Sequence, residues 1–171
     1  MTEQQPYTVV RAFPGFDVRR YPDSVQVEVR VHGDVTAAAG RGVRPLLRYL
    51  RGHNSSATQF ALTSPVLHEE DGEDTHLVSV VLPDVQDPHA VPSPLDESVT
   101  VRAVPTFEAA ALPFRGGRST RRFVDRGLQL LGEVLAADLL PDGPVYYARV
   151  DPRLARGFLT RHEALVRVTS A

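Results

Sequence analysis

The feature of this chain that most constrains its fold is a segment that occurs twice. Shifting the sequence by 83 positions without gaps places residues 16–33 on residues 99–116. The identical pairs are Val18 and Val101, Arg19 and Arg102, Pro22 and Pro105, and Gly33 and Gly116. A helical pattern follows each glycine and two strand patterns follow each helix, so the sequence predicts an internal repeat.

Strand patterns account for most of each repeat. Residues 25–31 alternate strictly, with valine at every second position, which is typical of a strand with one buried face. The other predicted strands are residues 7–12, 16–21, 60–68, 76–83, 99–104, 107–114, 145–150 and 164–168. An acidic turn at residues 69–74 joins two of them, and a proline-containing connector covers residues 84–97.

Two helices are predicted. Asp34 is a good N-cap for the first, whose apolar residues recur at helical spacing as far as Leu50, and Pro45 predicts a kink inside it. The second helix covers residues 119–137. Its predicted buried side consists of Phe123, Val124, Leu128, Leu131, Val134 and Leu135.

Together these elements predict an α+β fold made of two β-β-α-β-β pseudo-repeats. We expect residues 1–171 to form one domain with internal halves at about 7–84 and 98–169. The two helices should face one side of a curved antiparallel sheet. Such an arrangement leaves clefts between helix and sheet, where small molecules commonly bind.

Composition excludes several kinds of chemistry. The chain contains no cysteine, and its 19 lysine-plus-arginine residues are all arginine. Thiolate nucleophiles, iron–sulfur clusters, Schiff-base lysines and the P-loop lysine are therefore excluded. The only methionine is Met1, so an axial bond to heme iron would have to come from histidine or tyrosine.

Charge and hydropathy predict a cytoplasmic protein without a nucleic-acid partner. The formal net charge of −2 gives no general attraction to nucleic acid or to anionic lipid. No apolar run approaches the roughly 20 residues that span a bilayer. The first residues show neither the basic nor the apolar region of a secretion signal.

The remaining polar motifs predict neither a metal site nor a catalytic residue. The six histidines lack metal-ligand spacing, although His68 and His76 flank one hairpin, where cross-strand packing or solvent exposure is the favoured interpretation. The basic run at residues 116–122 resembles an anion site at a helix start, but an ordinary cap at Ser119 or Thr120 explains it. No G-x-S-x-G motif is present.

Five short motifs occur in a specific order over residues 7–168. They are Tyr7-Thr-Val-Val with Phe16-Asp-Val-Arg-Arg-Tyr-Pro22, Tyr49-Leu-Arg-Gly-His-Asn54, Leu62-Thr-Ser-Pro-Val66, Val145-Tyr-Tyr-Ala-Arg-Val-Asp-Pro152 and Arg161-His-Glu-Ala164. In this order they resemble motifs of the SOUL/heme-binding-protein family. The resemblance implies a distorted barrel-like sheet with two helices, similar to the effector-binding domains of multidrug-responsive regulators.

The resemblance also implies a function, which is non-catalytic, non-covalent binding of heme or a related tetrapyrrole in an apolar groove beside the first helix. The matching positions are Val43 and Leu47 with Leu46 and Leu50 adding to the wall, and Arg48 and Arg156 for the propionates. Some family members are proposed to ligate iron through a histidine where this chain has Arg20, and arginine cannot coordinate iron. The alternative is a small-molecule-sensing or partner-binding module that uses the same cleft for another apolar ligand.

Overall fold

A computed structural model describes residues 3–117, 119–150 and 160–170 of the chain. The helices are α1 (Val35–Leu50) and α2 (Thr120–Ala136), and Pro88–Ala90 forms a short 3-10 turn. The strands are β1 (Glu3–Gln4), β2 (Thr8–Ala12), β3 (Asp17–Tyr21), β4 (Ser24–His32), β5 (Thr63–Ser64), β6 (Val66–Glu70), β7 (Thr75–Val81), β8 (Val99–Val104), β9 (Phe107–Arg115), β10 (Leu139–Pro141), β11 (Tyr146–Arg149) and β12 (Arg161–Ser170). The predicted α+β class and its repeated β-β-α-β-β order are confirmed. Within the described residues, neither helix is long and apolar enough to cross a membrane.

The first compact unit contains the residues up to Gln5 and Asp23–Pro105. Its antiparallel sheet has the strand order β6-β7-β4-β8, and α1 packs on one face of it. The alternating valines of β4 point into this interface, where Val25, Val27 and Val29 are fully buried with Leu46 and Tyr49 of the helix. A separate parallel pair, β1 with β5, belongs to the same unit.

The second compact unit contains Pro6–Pro22 and the residues from Thr106 onward. Its antiparallel sheet has the strand order β2-β3-β9-β12-β11, with β10 paired to β12 and α2 packed on β9, β10 and β12. The compact units are thus bounded at different places from the expected halves at about 7–84 and 98–169. The expectation of one domain with those halves stays a prediction.

The strand register agrees with the internal repeat. In the second unit, Tyr21 of β3 pairs with Phe107 of β9. In the first unit, Val104 of β8 pairs with Ser24 of β4. The 83-residue shift places Tyr21 on Val104 and Ser24 on Phe107, so the two pairs are equivalent. The matched glycines Gly33 and Gly116 both have positive φ values, 127° and 145°, between strand and helix.

The predicted buried side of α2 is wrong at three positions. Val124, Leu128 and Leu135 are 46–63% exposed. The buried side instead comprises Phe123, Gly127, Leu130 and Val134. A glycine was not expected on the core side. A Cβ at Gly127 would lie 2.8 Å from the Tyr147 hydroxyl, so helix and sheet can approach this closely only because position 127 has no side chain.

Two glycines of α1 should respond to substitution with opposite signs. A Cβ added at Gly42 would lie 2.5 Å from the Cβ of Val78, whereas a Cβ at Gly40 meets no described atom within 4 Å. We expect Gly42→Ala to lower the free energy of unfolding by about 1–3 kcal/mol through overpacking. Gly40→Ala should raise it by up to about 1 kcal/mol, because alanine favours helix. Urea denaturation of both variants checks this, and destabilisation by both would contradict the packing difference.

Candidate functional site

The predicted groove residues of α1 lie at the edge of the core of the first unit. The helix begins where the Asp34 carboxylate accepts a hydrogen bond of 2.8 Å from the Ala37 amide, so the predicted N-cap is confirmed. Leu46 and Leu50 are 1% and 3% exposed and belong to the buried cluster. Val43 and Leu47 are half-buried and pack against that cluster from its margin.

Val43 and Leu47, here called the α1 rim, are four residues apart and therefore share one face of the helix. Other half-buried apolar side chains also pack against the same cluster. They are Val31, Phe60, Val85, Val91 and Val101. The α1 rim is thus the part of the predicted groove that keeps apolar surface in contact with solvent.

Arg48 places a cation next in sequence to the α1 rim. Its side chain is 54% exposed, one guanidinium nitrogen lies 2.8 Å from Nε2 of His53, and another lies 3.8 Å from Oδ2 of Asp96. Hydrogen bonds from the Ser98 hydroxyl and amide, with the Arg48 charge, lower the pKa of Asp96, which therefore stays a carboxylate. This long, exposed ion pair holds the arginine weakly. The other predicted basic residue, Arg156, lies outside the described residues.

Sequence analysis did not find a buried polar cluster in the first unit. Because the odd-numbered valines of β4 face α1, Gln26 and Glu28 face the opposite side of the sheet. Both are at most 9% exposed. The Arg102 guanidinium donates a hydrogen bond of 2.9 Å to Glu28, and the Ser79 hydroxyl donates one to Gln26.

A second buried cluster in the second unit centres on Arg19. Its guanidinium donates a 2.9 Å hydrogen bond to Glu163 and lies 4.4 Å from the centre of the Tyr7 ring. Burial would lower the pKa of Arg19, but the hydrogen bond and charge of Glu163 outweigh it, so the pKa is raised. Burial raises the pKa of the neighbouring Tyr21 to about 12. Both clusters could have been suspected, because Arg19 and Arg102 are one of the identical pairs of the repeat.

The basic start of α2 forms an open polar concavity of about 330 Å³ in the second unit. Its described lining consists of Ser119, Arg121, Arg122, Asp125, Arg126 and Gln129. Ser119 is at the N-cap, one of the two predicted cap positions, but its side chain makes no capping hydrogen bond to the described residues. Arg121 pairs with Asp125 at 3.9 Å and both are exposed, so this surface is mainly solvated charge.

Among solved structures, the C-terminal domain of EcmrR is similar to the chain, with a TM-score of 0.68 and 11% identity over 96% of this chain and 99% of that one. EcmrR in complex with DNA gives a TM-score of 0.65 at 12% identity, and the 91% of this chain that aligns covers 57% of that one. A hydrolase from Listeria innocua gives 0.55 at 13% identity, over 89% of this chain and 91% of that one. These likenesses show the fold alone.

The family is shown by sequence. The model of the SOUL heme-binding protein family matches residues 2–167, nearly the whole chain. The chain therefore belongs to the SOUL heme-binding protein family, as its five motifs predicted. A search of curated proteins finds no match.

Proposed function

We propose that this protein binds heme or a related tetrapyrrole, without catalysis and without a covalent bond, in the apolar groove beside α1. Membership of the SOUL heme-binding protein family supports the ligand class. The observation that carries the location is the α1 rim, whose half-buried side chains offer apolar surface beside an exposed arginine. The apolar α1 rim suits the macrocycle of a tetrapyrrole, and the exposed arginine suits its propionates.

Burial of the macrocycle supplies most of the binding free energy in this proposal. Apolar surface removed from water contributes about 25 cal/mol per Å², and Val43 and Leu47 provide that surface. Leu46 and Leu50 are already buried in the core, so we assign them the role of supporting Val43 and Leu47 and not of contacting the ligand. Arg48 can exchange its 3.8 Å contact with Asp96 for a bidentate pair with a propionate. We assign Arg156 the same role, as the sequence resemblance implies.

Iron ligation through the first motif does not fit this chain. Arg20 occupies that position and donates hydrogen bonds to the Glu108 carboxylate, the shorter of 2.6 Å. The proposed binding therefore depends on apolar contact and charge pairing, or on an axial bond from another histidine.

Replacing Leu47 with aspartate should remove specific hemin binding. A carboxylate on the α1 rim would have to lose its hydration against the macrocycle, so we expect affinity to fall by at least about 100-fold. The measurement is a hemin titration of the purified protein, followed by the Soret band and checked for one-to-one saturation. Leu95→Asp is the matched control, because Leu95 is 59% exposed in the connector. Unchanged affinity in a folded Leu47→Asp variant would remove the groove assignment.

The second candidate is a sensing or partner-binding module that uses the same cleft for a different apolar molecule. The fold that the chain shares with the C-terminal domain of EcmrR favours this candidate. It predicts no saturable hemin shift in the titration, with only the scatter that an unrelated protein also gives. Thermal-shift measurements with uncharged apolar dyes would then show stabilisation that Leu47→Asp abolishes.

A further inference from the structure

Two buried histidines form a contact that the proposed function does not use. His68 of β6 and His76 of β7 lie diagonally across the first-unit hairpin, since His68 is paired with Val78. Their ring centroids are 4.7 Å apart and the rings are nearly perpendicular, at 86°. The predicted cross-strand packing of this pair is confirmed, and the predicted solvent exposure is not, because the residues are 8% and 5% exposed.

Each ring carries a nitrogen that is buried without a partner. Among the described residues, neither Nε2 of His68 nor Nδ1 of His76 has a hydrogen-bond partner. Buried polar atoms in native structures are usually paired, and an orphaned one calls for an explanation such as a bound water or ion. The two unpaired nitrogens belong to rings that are in contact with each other.

The surroundings of the pair are apolar. His68 and His76 lie on the sheet face of Val78 and Val80, and the strand neighbour of His76 on β4 is Val31. All three valines belong to the α1 core or pack against it. Burial and the neighbouring His76 lower the pKa of His68 to about 4. At neutral pH His68 is therefore uncharged, which is the form of imidazole that binds metal ions.

We propose that His68 and His76 together form a binding site for a single Cu(I) ion. Two imidazole nitrogens are a complete ligand set for a d¹⁰ ion of low coordination number, whereas Zn(II) favours four ligands. The described residues contain no group of three or more histidine, aspartate or glutamate ligands, so a fuller protein set is not offered there. A single positive charge is also the less costly one to place among valines.

Placing one ion between the rings requires them to turn and to move apart. With metal–nitrogen bonds of about 2 Å, the centroids of two imidazoles that bind one ion in a linear arrangement lie roughly 6 Å apart. The observed separation is 4.7 Å, so the two rings would have to rotate and separate by about 1.5 Å. The pair includes none of the residues assigned to the tetrapyrrole groove, and neither proposal depends on the other.

The test is an anaerobic titration of the metal-free full chain with Cu(I), in competition with the chromogenic chelator bicinchoninate. We expect one bound equivalent and a loss of affinity of at least about 100-fold in His68→Phe and in His76→Phe, since even residues that only orient a metal ligand contribute 10- to 100-fold. His89→Gln is the control, because His89 is exposed in the connector. Its affinity should match that of the unaltered protein.

A second readout does not need a variant that folds. Ag(I), a redox-inert d¹⁰ probe, is added to ¹⁵N-labelled protein, and the imidazole nitrogens are followed by long-range ¹H–¹⁵N correlation. We expect the resonances of His68 Nε2 and His76 Nδ1 to move together, with saturation at one equivalent. Absence of a bound equivalent, equal loss in His89→Gln, or movement confined to other histidines would overturn the proposal and leave a buried water as the partner of the two nitrogens.

Discussion

Replacing Arg19 with methionine should lower the free energy of unfolding by about 3–5 kcal/mol. The Arg19 side chain is 7% exposed and that of its partner Glu163 is 16% exposed. Without the guanidinium, the largely buried carboxylate of Glu163 would lose its partner, and the contact of Arg19 with the Tyr7 ring at 4.4 Å would be lost as well. Urea denaturation at pH 7 measures the change.

The adjacent arginine provides a matched control for Arg19. Arg20 forms an ion pair with Glu108, but its side chain is 56% exposed. Arg20→Met should therefore change stability by no more than about 1 kcal/mol. The double variant Arg19→Met with Glu163→Gln should recover most of the loss, since no buried carboxylate is then left without its cation; the other acidic neighbour, Asp17, is 37% exposed. Equal effects of Arg19→Met and Arg20→Met would contradict the claim that burial decides the strength of the pair.

Acidification should lower the free energy of unfolding by about 3 kcal/mol through the protonation of His68. This follows because folding lowers the pKa of His68 from 6.5 to about 4. Burial and the nearby His76 disfavour the charged imidazole in the folded state, whereas the unfolded chain binds the proton at its usual pKa. The stabilisation is therefore complete above pH 6.5 and is lost as the pH falls towards 4. Chemical denaturation between pH 7.5 and 4.5, in buffer with a metal chelator, measures it.

The pH experiment needs a variant that cannot titrate at this position. In His68→Phe, the fall in stability between pH 7.5 and 4.5 should be smaller than in the unaltered protein by most of that amount. His89→Gln should behave like the unaltered protein, because His89 is exposed. An identical pH dependence in His68→Phe would show that His68 is not the group responsible.

The order of elements was predictable because it depends on local patterns. The alternating valines of β4 and the cap at Asp34 each specify their element within a few residues, and the 83-residue shift links the two halves. The helical spacing also placed Leu46 and Leu50 on the buried side of α1. What periodicity could not decide is how deeply each position of an apolar stripe is buried.

The errors arise where long-range packing overrides the local pattern. On α2 the glycine at position 127 allows close contact with Tyr147, so the buried face is turned away from Leu128. Arg19 is paired with Glu163, which is 144 residues away in sequence. No periodicity signals such a pair. Only the coincidence of Arg19 with Arg102 in the repeat marked that position as special.

The repeat has a further consequence for the integrity of the chain. In sequence β3 precedes the first helix, yet it pairs with β9 of the second unit, and β8 precedes the second helix yet pairs with β4 of the first. A fragment that holds only the first repeat would contain β3 without its partner β9. It would also lack β8, which pairs with β4 in the whole chain. The backbone groups left unpaired would be open to water and to pairing with the strands of another molecule. Cutting the connector would thus turn an intramolecular exchange into an association that depends on concentration.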